Sequence, residues 1–134
     1  MFCIFFKAGY GFSNTEEGFW LTCDGGKLGC QIWPATARQG NSSRSSTSSS
    51  PRPPNACGIF HTHPRQKPGE PSSCEGCDVA VSEDSGLPIY VVHPSGLWKY
   101  DPNSDKVTQE GGPDWSKAPK KRCKKPCEGL NGNN

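Results

Sequence analysis

The run Ile59-Phe60-His61-Thr62-His63-Pro64 decides both the fold of this chain and the chemistry that it can support. The apolar residues at its start predict a buried β-strand over residues 57–63, and Pro64, which has no N–H to give to a sheet, ends that strand. Side chains at alternate positions of a strand point to the same face. His61 and His63 can therefore both reach one metal ion.

An acidic residue follows where it can complete such a site. Asp78 begins a predicted short helix over residues 78–84, which Gly86 and Pro88 end. A carboxylate at a helix start can face the preceding loop, and two histidines plus one aspartate leave a fourth metal position for water. That donor set is typical of a catalytic rather than a structural zinc site. The alternative is that the two histidines are ordinary surface residues.

The other predicted elements are β-strands. Residues 16–33 are predicted to form a hairpin around Asp24-Gly25-Gly26-Lys27, residues 89–92 a buried strand, and residues 97–100 the arm of a second hairpin. The sequence therefore predicts an α+β fold, with a small, mostly antiparallel sheet and a short helix after the His-x-His strand.

Length and composition limit the chain to one small domain. It has 134 residues, of which 31% are hydrophobic, 16 are glycine and 13 are proline. The net charge of +2 gives no strong signal for nucleic acid, and no stretch has the length of a transmembrane helix, so we expect a soluble protein without membrane contact. We place the domain at residues 1–110, with a Ser/Pro-rich insertion at 40–54 and a basic, Cys-containing, flexible tail at 111–134.

The cysteines leave the redox compartment open. There are eight of them, an even number that permits disulfides, but their pairing cannot be derived from the sequence. The Cys-x-x-Cys motif of Cys74 and Cys77 is compatible with a disulfide or with simple loop packing. A third hypothesis joins the pair to a histidine in a His/Cys/Cys zinc centre, as in nucleobase deaminases. Deaminases need His-x-Glu, however, and position 63 holds a second histidine.

Several of these motifs together resemble a known family. The His-Thr-His-Pro run, the acidic helix start, and Gly86-Leu87-Pro88-Ile89-Tyr90-Val91-Val92 with Pro94-Ser95-Gly96 are similar to the JAMM/MPN (JAB-like) metallopeptidases. The resemblance is nearest to the JAB-like domains of bacterial polymorphic (Rhs-type) toxins. It covers about residues 13–102 and is strongest over 58–102.

This resemblance implies a function and its partners. A JAB-like domain would be a zinc-dependent hydrolase that cleaves a peptide or isopeptide bond in a protein or peptide substrate. The toxin branch further implies an effector role with an immunity protein as partner. The resemblance is compatible with a secreted protein and with one delivered as part of a larger effector, so the localisation stays unknown.

The resemblance also assigns the site residues. His61, His63 and Asp78 are the implied zinc ligands. Glu16 and Glu17, which precede Gly18 in the family's Glu-x-x-Gly or Glu-x-Gly context, are the candidates for the general base.

The chain departs from the family pattern before the aspartate. The family has serine three residues before it, and this chain has Glu75. Glu75 is therefore a candidate for orienting the attacking water or altering the metal coordination, and Ser72 and Ser73 are the nearest serines that can replace the missing hydroxyl. A carboxylate would repel a developing oxyanion. The alternative function is accordingly a JAB-fold binding module with impaired catalysis.

Overall fold

The computed structural model describes residues 18–33, 51–63, 68–75 and 77–112. These residues form one six-stranded sheet and one helix: β1 (Gly18–Asp24), β2 (Lys27–Ile32), β3 (Ala56–Thr62), α1 (Asp78–Ser85), β4 (Ile89–His93), β5 (Gly96–Asp101) and β6 (Lys106–Gly111). The strand order is β2-β1-β3-β4-β5-β6, and among these strands β3 and β4 alone pair in parallel. The predicted α+β class with a mostly antiparallel sheet is confirmed.

The parallel pairing of β3 with β4 brings the helix to the histidine strand. A parallel pair needs a crossover connection, and here that connection contains α1. His61 lies opposite Val91, and Thr62 lies opposite Val92. The crossover leaves from the end of β3 that carries the histidines, so the loop before α1 runs past them.

Glycines fix the turn of the first hairpin and the end of the helix. Gly25 and Gly26 have φ angles of 57° and 85°, which the type I′ turn between β1 and β2 requires. Gly86, with φ of 72°, ends α1, and its N–H donates to the carbonyl of Ser82. Both features lie where the sequence predicts them.

The core that supports the site lies between the sheet and α1. It contains Trp20, Trp33, Ile59, Val81, Leu87, Ile89 and Tyr100. Ile59 and Ile89 face each other across the β3–β4 pair and are fully buried, which stabilises the fold by about 1.5–3 kcal/mol for each side chain. His61 lies two residues after Ile59 in the same strand, so its side chain points to the same face, toward α1.

Strand β6 is not among the strands that the sequence predicts. Five of its six residues are exposed, and its apolar residue Val107 is 45% exposed. A hydrophobic pattern therefore cannot reveal it, and only its backbone pairing with β5 defines it.

The end of the predicted insertion contacts the sheet. Pro53 is buried, and the carbonyl of Pro51 accepts a hydrogen bond of 3.1 Å from Gln31 Nε2. Residues 40–50 of the insertion and 113–134 of the predicted tail lie outside the described residues.

Tyr100 joins α1 to the β5–β6 turn. Its hydroxyl lies 2.6 Å from Asp105 Oδ1 and 3.0 Å from Glu83 Oε1. The hydrogen bond with Asp105, burial, and the hydrogen bond with Glu83 raise the pKa of Tyr100 above its ordinary value. The neutral phenol is thus favoured in the folded state.

We expect Tyr100→Phe to lower the urea midpoint of unfolding at neutral pH, because a hydroxyl that donates to carboxylates is lost. The wild type should lose stability as the pH rises above about 10, since the unfolded chain ionises this tyrosine first. The variant should lack that part of the alkaline loss. Urea unfolding at about pH 7 and about pH 11 measures both effects. An equal alkaline loss in the two proteins would contradict this role for Tyr100.

Candidate metal centre

His61 lies near the end of β3 and His63 directly follows the strand, with their rings directed to one point. His61 is fully buried and His63 is 3% exposed. Their Nε2 atoms are 3.1 Å apart, and the two rings meet edge to face. The same-face placement that the i, i+2 spacing predicts is confirmed.

Asp78 closes the group from the first residue of α1. Its Oδ1 lies 2.9 Å from His61 Nε2, and its Oδ2 lies 3.0 Å from His63 Nε2. Burial by itself would raise the pKa of the Asp78 carboxyl, but the charge and hydrogen bonds of His61 and His63 outweigh it and hold that pKa well below its ordinary value. Asp78 is therefore ionised at neutral pH, which is the form that binds a cation.

The donor set of this group fits a small divalent metal ion. The ligand atoms of His61, His63 and Asp78 all lie within 4.8 Å of one another. Tetrahedral coordination with bonds of about 2.0–2.1 Å separates ligand atoms by about 3.3 Å, close to the distances between these side chains. Three buried polar groups that converge on one point can all be satisfied by a single cation. Imidazole and carboxylate donors are typical of zinc and of other first-row metals.

A backbone carbonyl orients His63. The Nδ1 atom of His63 lies 2.8 Å from the oxygen of Pro68. A carbonyl can only accept, so Nδ1 carries the proton and, in the neutral ring, Nε2 presents its lone pair to the metal position. Such outer contacts fix the tautomer and orientation of metal-binding histidines. The ring of Trp33 stacks on His61, with 6.4 Å between the ring centroids, and limits the movement of that imidazole.

The loop that carries Pro68 is held in place by the β4–β5 turn. Gly69 lies against Ser95 and Trp98 so closely that a Cβ at this position would overlap Ser95 Oγ and Trp98 Nε1. Trp98 Nε1 donates to Ser95 Oγ at 3.2 Å, so these two partners are tied to each other. The absence of a side chain at Gly69 therefore determines where the Pro68 carbonyl lies.

We expect Gly69→Ala to weaken zinc binding by about 10- to 100-fold, because the added methyl displaces the Pro68 carbonyl from His63. Gly112→Ala is the matched control, since no atom lies within 4 Å of a Cβ at that position. Competition titrations against a chromophoric chelator give both affinities. Equal affinities in the two variants would show that the Pro68 contact does not position the ligand.

Ser72 contacts Asp78, the third residue of this group. Its backbone N–H and its hydroxyl both donate to Asp78 Oδ2, each at 2.9 Å. Its carbonyl accepts a hydrogen bond of 3.0 Å from Val79 N–H. The loop thus places a serine against Asp78 from six residues before it.

We expect Ser72→Ala to reduce the zinc affinity by about tenfold, because Asp78 loses one of the two donors that orient it. Ser73→Ala removes a hydroxyl from the exposed neighbouring position and should leave the affinity unchanged. The same competition titration checks both variants. If Ser73→Ala has the larger effect, the described contact is not the one that supports the ligand.

The three predicted catalytic residues differ in what the structure describes of them. Glu75 is exposed and is not among the residues that converge on the metal position. Glu16 and Glu17 lie outside the described residues, immediately before Gly18, whose Cα pairs with His61 across β1 and β3. Catalytic roles for all three stay predictions.

The Cys-x-x-Cys motif forms a disulfide between Cys74 and Cys77. In this form the two sulfurs are not thiolates and do not share a metal with a histidine. Cys23 and Cys57 form a second disulfide, which joins β1 to β3. Of the alternatives left open by the sequence, the disulfide is the one observed for Cys74 and Cys77.

Sequence reasoning missed the residues that orient the ligands through loop contacts. Nothing in the Pro/Gly-rich composition of residues 65–73 indicates that the carbonyl of Pro68 faces His63. Gly69 also carried no distinguishing signal, because its close partners come from the distant β4–β5 turn. Ser72 is one of the two serines that the sequence analysis names near Asp78, and the structure places it against that residue.

The fold and the site together define a small α+β protein with a buried His-His-Asp group suited to a metal ion. No family model, curated protein or solved structure matches the chain. Within the described ranges, no helix is both long enough and apolar enough to cross a membrane.

Proposed function

We propose that this protein is a zinc-dependent hydrolase that cleaves a peptide or isopeptide bond. The observation that carries this proposal is the convergence of His61, His63 and Asp78 on one buried point, with 2.9–3.1 Å between their nearest ligand atoms. All three positions also correspond to the zinc ligands that the JAB-like resemblance implies.

An open cleft supports a catalytic rather than a structural site. A cavity of about 470 Å³ is lined by His63, by residues of the loop 68–74 and by Cys77. One ligand therefore forms part of a wall that a substrate can approach. Three protein ligands, one of them in the wall of a cleft, leave a fourth position for water, as in catalytic zinc sites.

The residues of the chain have distinct roles in the proposed reaction. When bound, zinc acts as a Lewis acid and lowers the pKa of a bound water to about 7. Asp78 supplies the negative charge of the ligand set, and Ser72 and the Pro68 carbonyl keep Asp78 and His63 oriented. Ser72 also lines the cleft, and because its one hydroxyl proton is donated to Asp78 Oδ2, it positions that residue rather than the substrate.

We assign the proton transfers to Glu16 or Glu17. The chosen carboxylate takes a proton from the attacking water and gives it to the leaving amine. Glu17 directly precedes Gly18, whose Cα pairs with His61 across β1 and β3. Glu75 is exposed and is not among the residues that converge on the metal position, which supports the assignment to Glu16 or Glu17.

The toxin or effector role rests on the sequence resemblance alone. The same is true of an immunity protein as partner, since fold and site define a chemistry and not a biological setting. The second candidate function, a binding module of the same fold, is favoured by the glutamate at position 75.

Hydrolysis assays separate the two functions. Zinc-loaded protein is incubated with internally quenched peptide libraries and with peptides joined through a lysine side chain, and Asp78→Asn serves as the inactive control. We expect cleavage that a chelator abolishes and added zinc restores. A protein that binds one zinc ion and cleaves neither substrate class would support the binding module instead.

A further inference from the structure

The Cys74–Cys77 disulfide is part of the cleft wall and directly precedes Asp78 in the chain. Cys77 directly precedes Asp78 and is the N-cap residue of α1, and its N–H donates to the Cys74 carbonyl at 3.0 Å. Cys74 is exposed and Cys77 is half-buried, and both line the cleft. A dissolved thiol can therefore reach this disulfide.

The disulfide shortens the loop that holds the ligand. Ser72 is bound to Asp78 Oδ2 through its N–H and hydroxyl, and to Val79 through its carbonyl, so these bonds close a loop from 72 to 79. The disulfide closes a smaller ring inside the same loop. Without it, the segment between Ser72 and Asp78 gains backbone freedom, and the Ser72 hydrogen bonds alone must keep Asp78 aimed at the histidines.

We propose that Cys74 and Cys77 form a thiol–disulfide exchange site that controls metal binding. In the oxidised form the centre binds zinc tightly, and in the reduced form it binds zinc weakly. The inference rests on the proposed zinc site. Its reaction partner is a dithiol reductant, either a small molecule or a protein.

The exchange transfers two electrons and two protons to the protein. A thiolate of the dithiol attacks one sulfur of the pair, the Cys74–Cys77 bond breaks, and a mixed disulfide forms. The second thiol of the reductant then displaces the protein sulfur. Both cysteines end as thiols, and the reductant ends as its own disulfide.

The expected size of the effect follows from the short ring. Closing a ring of about four residues restricts the chain before Asp78 enough to change the zinc-binding equilibrium by roughly tenfold. Because coupling between two binding events is reciprocal, zinc must favour the disulfide by the same factor that the disulfide favours zinc. A tenfold coupling equals about 30 mV in the potential of this two-electron couple.

The first measurement compares zinc affinities of the full chain by competition titration. The variant is Cys74→Ser/Cys77→Ser, which opens the ring without adding thiolate ligands. The control is Cys23→Ser/Cys57→Ser, which removes the other described disulfide. That disulfide lies where Thr22 of β1 pairs with Ala56 of β3, at the opposite end of these strands from His61. We expect about tenfold weaker binding for the first variant and unchanged binding for the control.

The second measurement uses wild-type protein and so does not depend on whether a variant folds. The Cys74–Cys77 midpoint potential is measured in glutathione buffers, with and without a fixed free zinc concentration, by thiol labelling and peptide mass spectrometry. Saturating zinc should make this potential more negative by about 30 mV for each tenfold of coupling.

The outcomes separate this inference from the proposed function. Tight zinc binding that is equal in wild type and in Cys74→Ser/Cys77→Ser, with a potential that zinc does not change, overturns the redox control and leaves the hydrolase proposal intact. If zinc makes the Cys74–Cys77 midpoint potential less negative, the released thiols bind the metal, and the proposed redox control is also overturned. No zinc binding by oxidised wild type overturns both proposals.

Discussion

Asp78→Asn should weaken zinc binding by at least about 100-fold while the fold is retained. Asparagine has the shape of aspartate and can still accept the hydrogen bonds from Ser72, but it lacks the charge that the metal and the two histidines require. The change removes one of the three groups that bind the metal directly. Its effect on the zinc affinity should therefore exceed the about 10- to 100-fold loss that is typical when a residue supporting a ligand is changed. We expect it to be the largest effect on zinc affinity of any isosteric substitution in the loop 68–78.

Glu75→Gln is the matched control for this prediction. It removes the same charge three residues earlier, at an exposed position of the same loop. Thermal unfolding with and without zinc gives a second measurement, since a ligand present at about 100 times its Kd stabilises the folded state by about 2.7 kcal/mol. Wild type and Glu75→Gln should show this gain, and Asp78→Asn should not. If Glu75→Gln loses the stabilisation by zinc to the same extent as Asp78→Asn, coordination of the metal by Glu75 would be supported instead.

The largest expected effect on catalysis comes from the glutamates before β1. One of the two variants, Glu16→Gln or Glu17→Gln, should reduce kcat by about 10²- to 10⁴-fold, because the general base is lost. The zinc affinity of that variant should be unchanged, because the ligands remain. The two neighbours serve as controls for each other, since a single carboxylate is expected to transfer the protons. Steady-state kinetics on a peptide identified in the hydrolysis screen, together with zinc titration, checks this.

Two results would contradict this assignment of the base. If both variants keep their activity, the base lies elsewhere, and Glu70 or Glu75 of the loop beside the cleft would be tested next. If either variant loses zinc together with activity, that glutamate supports the metal site instead of transferring protons. A loss of kcat at constant metal content is the result that identifies the general base.

The convergence of His61, His63 and Asp78 could be predicted because it depends on local periodicity. The alternation of a strand places His61 and His63 on one face, whatever the rest of the fold does. Asp78 could be predicted from the helix-start pattern, with Gly86 marking the helix end. The β1–β2 hairpin was predictable for a similar reason, since two glycines with positive φ select the turn.

The rest of the site depends on contacts that are distant in the sequence. The Pro68 carbonyl faces His63 because Gly69 packs against Ser95 and Trp98, which lie 26 and 29 residues later in the chain. No local pattern encodes that contact. Strand β6 could not be predicted for a different reason. Its residues are mostly exposed and show no hydrophobic alternation, and the strand is defined by its backbone pairing with β5.

The zinc content of the purified full chain is the most direct measurement of the His61–His63–Asp78 centre. Protein is equilibrated at buffered micromolar zinc, freed of excess metal and analysed by elemental mass spectrometry, with His63→Ala as the comparison and circular dichroism to confirm that both are folded. We predict about one zinc ion per wild-type chain and almost none in His63→Ala. Folded wild type without zinc, or equal zinc in the two proteins, would contradict a metal centre at these residues.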